Sequence, residues 1–548
     1  MNSILRKTVV VALLFLLCKP AIACAQKSEI TVSESSVQKQ LNMPWRNTIA
    51  VGRAHNLLRA DILQHLAYAQ DIMGYRYCRF HAIFDDALDV VRRDPKTYQL
   101  IFQWHQVDLV YDALLKLGIR PFVELNPMPK ALASGTQTMF NYQMNVTPPK
   151  SYDEWGQLVE AFTTHLVERY GIDEVRNWYF EVWNEPNLGA FWSGSQAEYF
   201  KLYEYSARAI KKVDSKLRVG GPASSKANWI KEIISYTYKN NIPLDFVSTH
   251  LYGQDEQVQY PDRVGSPYKV GDFFSETVKE VTRWVKASER PDLEIHWTEW
   301  NTQSAKDAAS ITWGENIYVD NLYAASFIAR NCIDVDNECQ SFAYWVISDL
   351  FDEGNIPVSP FSCTYGLITI HGIPKASFNA FRFLRKMEGT RMNVTTEKPL
   401  PQGKGCVVTR TKTSTRVLMW NQNFVEDTKL HSVWNGTMEI PVADDTILNV
   451  IKGSITAGNG SAWESWIGMG SPLNASATQL DLLRKHAEPA YTFAQLKSNK
   501  NRLNLDFSLT PGEVVYFEIA APMQKVTTRF ANEEEFKIFN KGMGEKSK

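Results

Sequence analysis

The chain has 548 residues, 44% of them hydrophobic and 22% charged, with a formal net charge of −1. That length accommodates more than one domain and a large core, and so balanced a charge excludes a nucleic-acid-binding surface as the main business of the protein. The 16 Trp and 23 Tyr suit either a large core or contact with sugar rings, which stack on aromatic faces.

Residues 1–25 read as a secretory signal peptide. Arg6 and Lys7 supply the positive start, and Val9 to Leu17 form an apolar run too short to span a bilayer. Ala21-Ile22-Ala23 or Ala23-Cys24-Ala25 is the cleavage motif. The expected location is secreted or periplasmic. A lipid anchor on Cys24 ranks second, because Ala-Ile-Ala is a poor lipobox. No later segment is long and apolar enough to cross a membrane. Cys78, Cys332, Cys339, Cys363 and Cys406 remain after cleavage. They are odd in number and sparse, so they form no disulfide framework. Cys332 and Cys339 are close enough to bridge, with free buried thiols the preferred reading. With no Cys-x-x-Cys and no His-Glu-x-x-His, neither a metal nor a cofactor is expected.

Residues 26–47 form an N-terminal segment able to lend a strand to a later sheet. From 48 to 388 strand and helix patterns alternate. Strands are predicted at Ile49–Gly52, Tyr75–Phe80, Arg120–Leu125, Val175–Trp183, Leu217–Gly220, Phe246–His250, Glu294–Thr298 and Phe342–Val346. Helices are predicted between and after them, among them Ala60–Tyr68, Tyr98–Leu117, Trp155–Tyr170, Ala197–Val213, Ile317–Cys332 and Phe378–Met387. Alternation implies parallel strands with helical crossovers, and eight such units fit a (β/α)8 TIM barrel. A doubly wound sheet would carry a glycine-rich phosphate loop after its first strand, and none is visible. From 389 to 526 short alternating runs between turn residues predict a β-sandwich accessory domain with one helix over Gln479–Lys485. The Glu- and Lys-rich tail, 527–548, reads as disordered.

Two runs carry the chemistry. Trp178-Tyr179-Phe180-Glu181-Val182-Trp183-Asn184-Glu185-Pro186-Asn187 is an apolar strand that ends in a rigid polar turn, and Leu293-Glu294-Ile295-His296-Trp297-Thr298-Glu299-Trp300-Asn301 repeats the logic. Glu185 and Glu299 thereby fall at the ends of strands four and seven, on the face where such barrels react. A pair of carboxylates there is what a retaining glycosidase needs, one as acid/base and one as nucleophile. Pro186 disfavours helix at Glu185. Trp183 and Phe180 are expected to desolvate Glu185 and raise its pKa, and Asn184 is suited to bind a sugar hydroxyl. Glu299 must stay ionised among donors, with Tyr252 as one candidate. His250, two residues before Tyr252, shares its strand face. His81 follows strand two, Trp345 ends strand eight as a sugar platform, and Glu353 lies on the following loop.

At these residues the chain resembles glycoside hydrolase family 39, which contains β-xylosidases and α-L-iduronidases. The segment Trp178 to Leu188 resembles its acid/base signature. Pro121 to Leu125 with Met128-Pro129 and Ala131 to Gly135 resembles its third-strand segment, and Gly366-Leu367 with Gly372-Ile373-Pro374-Lys375 the approach to its last barrel helix. Trp463 to Pro472 resembles a C-terminal segment of the xylosidase branch. The resemblance implies Glu185 as acid/base and Glu299 as nucleophile, with His81, Asn184, His250, Tyr252, Trp345 and Glu353 around the bound sugar. It also implies retention of configuration, no cofactor and a glycoside or oligosaccharide as partner. Thr298-Glu299-Trp300-Asn301 is closer to the xylosidase form than to the iduronidase form. The expected enzyme is a secreted exo-acting β-xylosidase. The alternatives are the same mechanism on a β-galactoside, β-glucoside, α-L-arabinopyranoside or α-L-iduronide, the last needing a cation such as Arg263 or Lys269. A sugar-binding protein on a dead hydrolase scaffold is disfavoured by the two intact carboxylates.

Overall fold

The computed structural model describes residues 27–35, 39–253, 255, 272–302, 318–354, 357–424 and 431–522. The signal segment with Cys24, the loop positions Arg263 and Lys269, and the charged tail lie outside the described residues.

Eight parallel strands close into a barrel in chain order: Thr48–Arg53, Tyr77–His81, Arg120–Leu125, Tyr179–Val182, Arg218–Ser225, Phe246–Tyr252, Glu294–Asn301 and Ser341–Tyr344. The last pairs with the first at Tyr344 and Ile49. Parallel neighbours cannot be joined by a hairpin, so a helix carries each return: Ala60–Met73, His105–Lys116, Tyr152–Tyr170, Gln196–Val213, Ile230–Lys239, Phe273–Lys286, Leu322–Asp334 and Ala376–Arg385. Local signals set the helix ends. Ser195 and Glu198 form a capping box at the start of Gln196–Val213, and Gly74, in the left-handed region at φ 65°, stops Ala60–Met73.

The two-residue period of the strands sorts side chains between the helices and the barrel interior. Val123, Phe180, Val182, Val219 and Val247 join the large core against the helices. Tyr77, Phe122, Tyr179 and Phe246 cluster inside, at the N-terminal end, with His296 packed against the last three. Two residues further along each strand the interior turns polar, at Arg79, Glu124, Glu181, Ser248 and Thr298, all buried. The barrel is thus plugged by aromatics below and opens into charge above.

The remaining strands form a β-sandwich. Ser28–Ser33 lies in a four-stranded sheet between Asn393–Thr396 and Trp434–Pro441, with Arg502–Leu509 at the far edge. The facing sheet is built on Lys404–Arg410, Ser414–Asn421, Val514–Ala520 and Ile447–Ala457. Its alternation serves two cores. Val408, Val417 and Met419 fill the sandwich, while Val407, Leu418 and Trp420 pack into the barrel's core.

Four elements differ from the sequence reading. The helix expected from Tyr98 starts at His105, because Leu100–Phe102 pairs antiparallel with Val91–Arg93. The Asp94 carboxylate turns the chain between them by accepting from the amides of Lys96 and Thr97. The fourth strand starts at Tyr179 rather than Val175, since Ile172–Val175 forms a helical turn. The helix expected from Ile317 starts at Leu322, and Ile317 itself lies outside the described residues. The strand Ala490–Lys497, paired with Ile447–Ala457, was not anticipated. The five described cysteines are all free thiols.

Candidate active site

The centre of the site is Arg79, fully buried on the second strand. Its Nε donates to Glu181 at 2.6 Å, Nη1 to Glu299 at 2.7 Å and Nη2 to Asn184 at 2.8 Å. Nη2 is also 2.6 Å from Glu124. Burying an isolated guanidinium is costly, and only close, well-aligned counter-charges offset the loss of water. Here burial acts against the cation, yet Glu124, Glu181 and Glu299 outweigh it and raise its pKa. Arg79 therefore fixes one carboxylate each from strands three, four and seven. Because it also holds Oδ1 of Asn184, the amide of that residue is turned so that its NH2 is the group left to donate.

Glu185 sits just past the fourth strand, where the chain turns sharply. Trp183 and Glu185 take left-handed conformations at φ 72° and 43°, a local cost of the kind that clusters at functional sites. Pro186 keeps Glu185 out of the right-handed helical region, and the Glu185 N–H donates to the Ala223 carbonyl at 2.8 Å. The carboxyl is buried, and burial pushes its pKa up to about 7. The residues expected to desolvate it do not face it. Trp183 meets Trp155 and Trp192 edge-on and donates to the Phe191 carbonyl, and Phe180 joins the core against the helices. His250 touches it instead, with Nδ1 3.0 Å from Glu185 Oε1.

Glu299 and Thr298 are neighbours in sequence, yet both side chains point inward. The register explains it. Thr249 pairs with Trp297 and His250 with Glu299, so Thr298 is an extra residue in the ladder; the opposite edge of the strand shifts at the same place. A bulge of this kind re-aims side chains next to active sites. Trp297 and Trp300 are left on the outer face, where Trp300 stacks on Phe342 at 4.3 Å. Glu299 receives Tyr252 Oη at 2.9 Å on Oε2 and Arg79 on Oε1. Each of its oxygens thus accepts from a different strand.

The remaining predicted positions line the same chamber. His81 has Nδ1 2.9 Å from Glu124 and Nε2 3.5 Å from both Glu299 and Glu353. Burial holds it neutral, with its pKa lowered to about 4, and pushes Glu124 up to about 8. Trp345 packs on His81 with centroids 4.6 Å apart. Burial, reinforced by Glu299 and Glu185, keeps the Glu353 carboxyl well above the usual range. The Glu353 loop is anchored by the fork between Arg53 and Asp352 at 2.8–3.2 Å. Phe140 approaches from the loop after strand three. The eight residues named from the sequence thus meet in one place. Arg79, Glu124, Glu181 and Thr298 were missed, although a charge inside an otherwise apolar strand was a usable signal.

Ligand atoms of Glu185, His250 and Glu299 all lie within 4.8 Å of one another, a spacing that a metal ion could use. The Arg79 guanidinium, 2.7 Å from Glu299, already supplies the positive charge there and opposes a second cation. One carboxylate oxygen of Glu185 and one of Glu299 thus lie within 4.8 Å of each other across the mouth of the barrel.

A (β/α)8 barrel with paired buried glutamates at its C-terminal mouth is the architecture of a glycoside hydrolase. The family model for glycosyl hydrolases family 39 matches residues 28–504, and the chain belongs to that family. It is 36% identical over 504 residues to a β-xylosidase of Caldicellulosiruptor saccharolyticus, covering 89% of this chain and 97% of that protein. It is 33% identical to a β-xylosidase of Geobacillus stearothermophilus, covering 90% and 96%. The crystal structure of the family 39 enzyme from Xanthomonas axonopodis pv. citri superposes with a TM-score of 0.80 at 28% identity, over 92% of this chain and all of that one. The protein is a β-xylosidase-like glycoside hydrolase.

Proposed function

We propose that the protein is a secreted, retaining, exo-acting β-xylosidase in which Glu299 is the nucleophile and Glu185 the acid/base. The observation that carries the roles is the contrast between two neighbouring carboxylates. Glu299 accepts from a guanidinium and a phenol, whereas Glu185 is buried beside a neutral imidazole with its pKa raised to about 7. A buried carboxyl with a raised pKa suits the acid, and a carboxylate held in place by two donors suits the nucleophile. Glu299 attacks the anomeric carbon as Glu185 gives its proton to the leaving oxygen. Glu185, now a carboxylate, takes a proton from water, which displaces Glu299 from the glycosyl-enzyme. Asn184, His81 and Glu353 supply hydrogen bonds to the sugar, and Trp345 gives it an apolar face.

The choice of xylose is supported by the two β-xylosidases that match nearly full length. Initial rates on nitrophenyl β-D-xyloside, β-D-galactoside, β-D-glucoside, α-L-arabinopyranoside and α-L-iduronide, with Glu299→Ala as the blank, test it. The xyloside should be turned over fastest. Preference for another sugar would retain the mechanism and reject the substrate.

A further inference from the structure

Resting on the assignment of Glu185 as acid/base, we infer that Thr298 is a positioning residue that, through His250, holds Glu185 in its protonated form. The argument follows the direction of each proton along a buried chain. Glu181 is a carboxylate: burial alone would raise its pKa, but Arg79 and the other donors around it bring it below the usual value. A carboxylate only accepts, so the 2.8 Å contact between Thr298 Oγ1 and Glu181 Oε1 is a bond donated by the hydroxyl. The single Thr298 proton is thereby committed. Its oxygen, 3.1 Å from His250 Nε2, must accept, which puts the imidazole proton on Nε2. A neutral imidazole has one N–H, so Nδ1 is a lone pair. That lone pair faces Glu185 Oε1 at 3.0 Å. It accepts a hydrogen bond from the acid form of Glu185 and repels the carboxylate.

The consequence serves both halves of the reaction. Before glycosyl transfer the relay keeps the proton on Glu185. After transfer it leaves a carboxylate with no donor from His250, hence a stronger base towards water. Thr298 faces the interior by the strand's own alternation from His296, and the ladder bulge is what brings Glu299 to the interior beside it.

Other charges also act on Glu185. Burial raises its pKa, while a hydrogen bond from Ser225 and the charges of Arg79 and Lys226 favour its ionised form, and Asp255, Tyr252, Glu353 and Glu124 interact with it in the opposite sense. Burial lowers the pKa of His250 to about 4 and keeps it neutral, against Glu299, which lies 3.7 Å from Nδ1 and favours a charged imidazole. Thr298→Val removes none of these groups, so a displaced titration reports the relay.

The test is the pH dependence of kcat/KM for Thr298→Val, Thr298→Ser and Glu185→Gln, with the tautomer of His250 in the unmodified protein read by 15N NMR of histidine-labelled material. The wild-type imidazole should carry its proton on Nε2. In Thr298→Val the tautomer is freed, Nδ1–H donates to the Glu185 carboxylate, and the alkaline limb should move down by about one pH unit. Thr298→Ser, which keeps the hydroxyl, should restore the wild-type limb. An Nδ1–H tautomer in the unmodified protein, or an unmoved limb in Thr298→Val, overturns the inference even should one variant fold poorly. Persistence of the alkaline limb in Glu185→Gln would instead overturn the acid/base assignment itself.

Discussion

His250 Nδ1 lies 3.0 Å from Glu185 Oε1, while Tyr252, two residues later on the same strand face, donates to Glu299 at 2.9 Å. One strand therefore touches both carboxylates and treats them oppositely, offering a neutral imidazole to one and a phenolic donor to the other.

That asymmetry has a pH signature. With the Glu185 pKa near 7, kcat/KM for substrates with poor leaving groups should fall as pH rises through about 7, because the general acid is being ionised. Glu185→Gln should lose roughly 10²–10⁴-fold on unactivated glycosides and far less on dinitrophenyl glycosides, whose leaving group needs no proton. Parallel pH–rate profiles on the two substrate types check this.

The same burial costs stability. In the native chain Glu185 keeps its proton up to about pH 7, whereas the unfolded chain releases it near 4.5. Between those values the native state binds more protons, so stability falls as pH rises through that window. Glu185→Gln escapes this penalty. Its stability relative to wild type should grow between pH 4.5 and 7.5, by up to about 3 kcal/mol, as measured by urea melts at the two pH values.

Tyr252→Phe removes one charge-assisted bond to Glu299 and little volume. We expect kcat to fall roughly ten- to hundredfold, with KM changed much less and the melting temperature near wild type. Steady-state kinetics on an activated xyloside read the split.

Lys375 is buried, its Nζ 2.6 Å from Asp320, 2.9 Å from Asp349 and 2.9 Å from the Thr364 carbonyl. Asp349 also accepts from the Gly366 amide. The cluster ties the chain after strand eight, which carries Glu353, to the start of the last barrel helix. Lys375→Met should destabilise by about 3–5 kcal/mol, since two buried carboxylates lose their cation. Chemical denaturation measures it.

The legible parts of this chain were those written in local pattern. The eight strand–helix units show because parallel strands and amphipathic helices impose periods of two and 3.6. Glu185 shows because a polar turn with a proline interrupts an apolar strand. Thr298 did not, since its meaning lies in Glu181 and His250 on other strands, and the register shift that sets Glu299 beside it is revealed by no single strand. Arg79, Glu124 and Glu181 sit inside strands as lone charges, and their meaning lies in one another across the barrel. The Gly372 to Lys375 segment was noticed for its resemblance alone, and the buried ion cluster at Lys375 supplies its physical reason. Trp183 was expected to desolvate Glu185, but just past the strand its backbone is left-handed and its ring meets Trp155 and Trp192.

The central claim is the division of labour between Glu299 and Glu185, and azide rescue tests it most directly. On an activated β-xyloside, Glu299→Ala should be reactivated by azide to give the α-glycosyl azide, because the anion replaces the missing nucleophile. Glu185→Ala should give the β-azide, because azide intercepts the glycosyl-enzyme on Glu299. The opposite pairing of products would contradict the account and exchange the two roles.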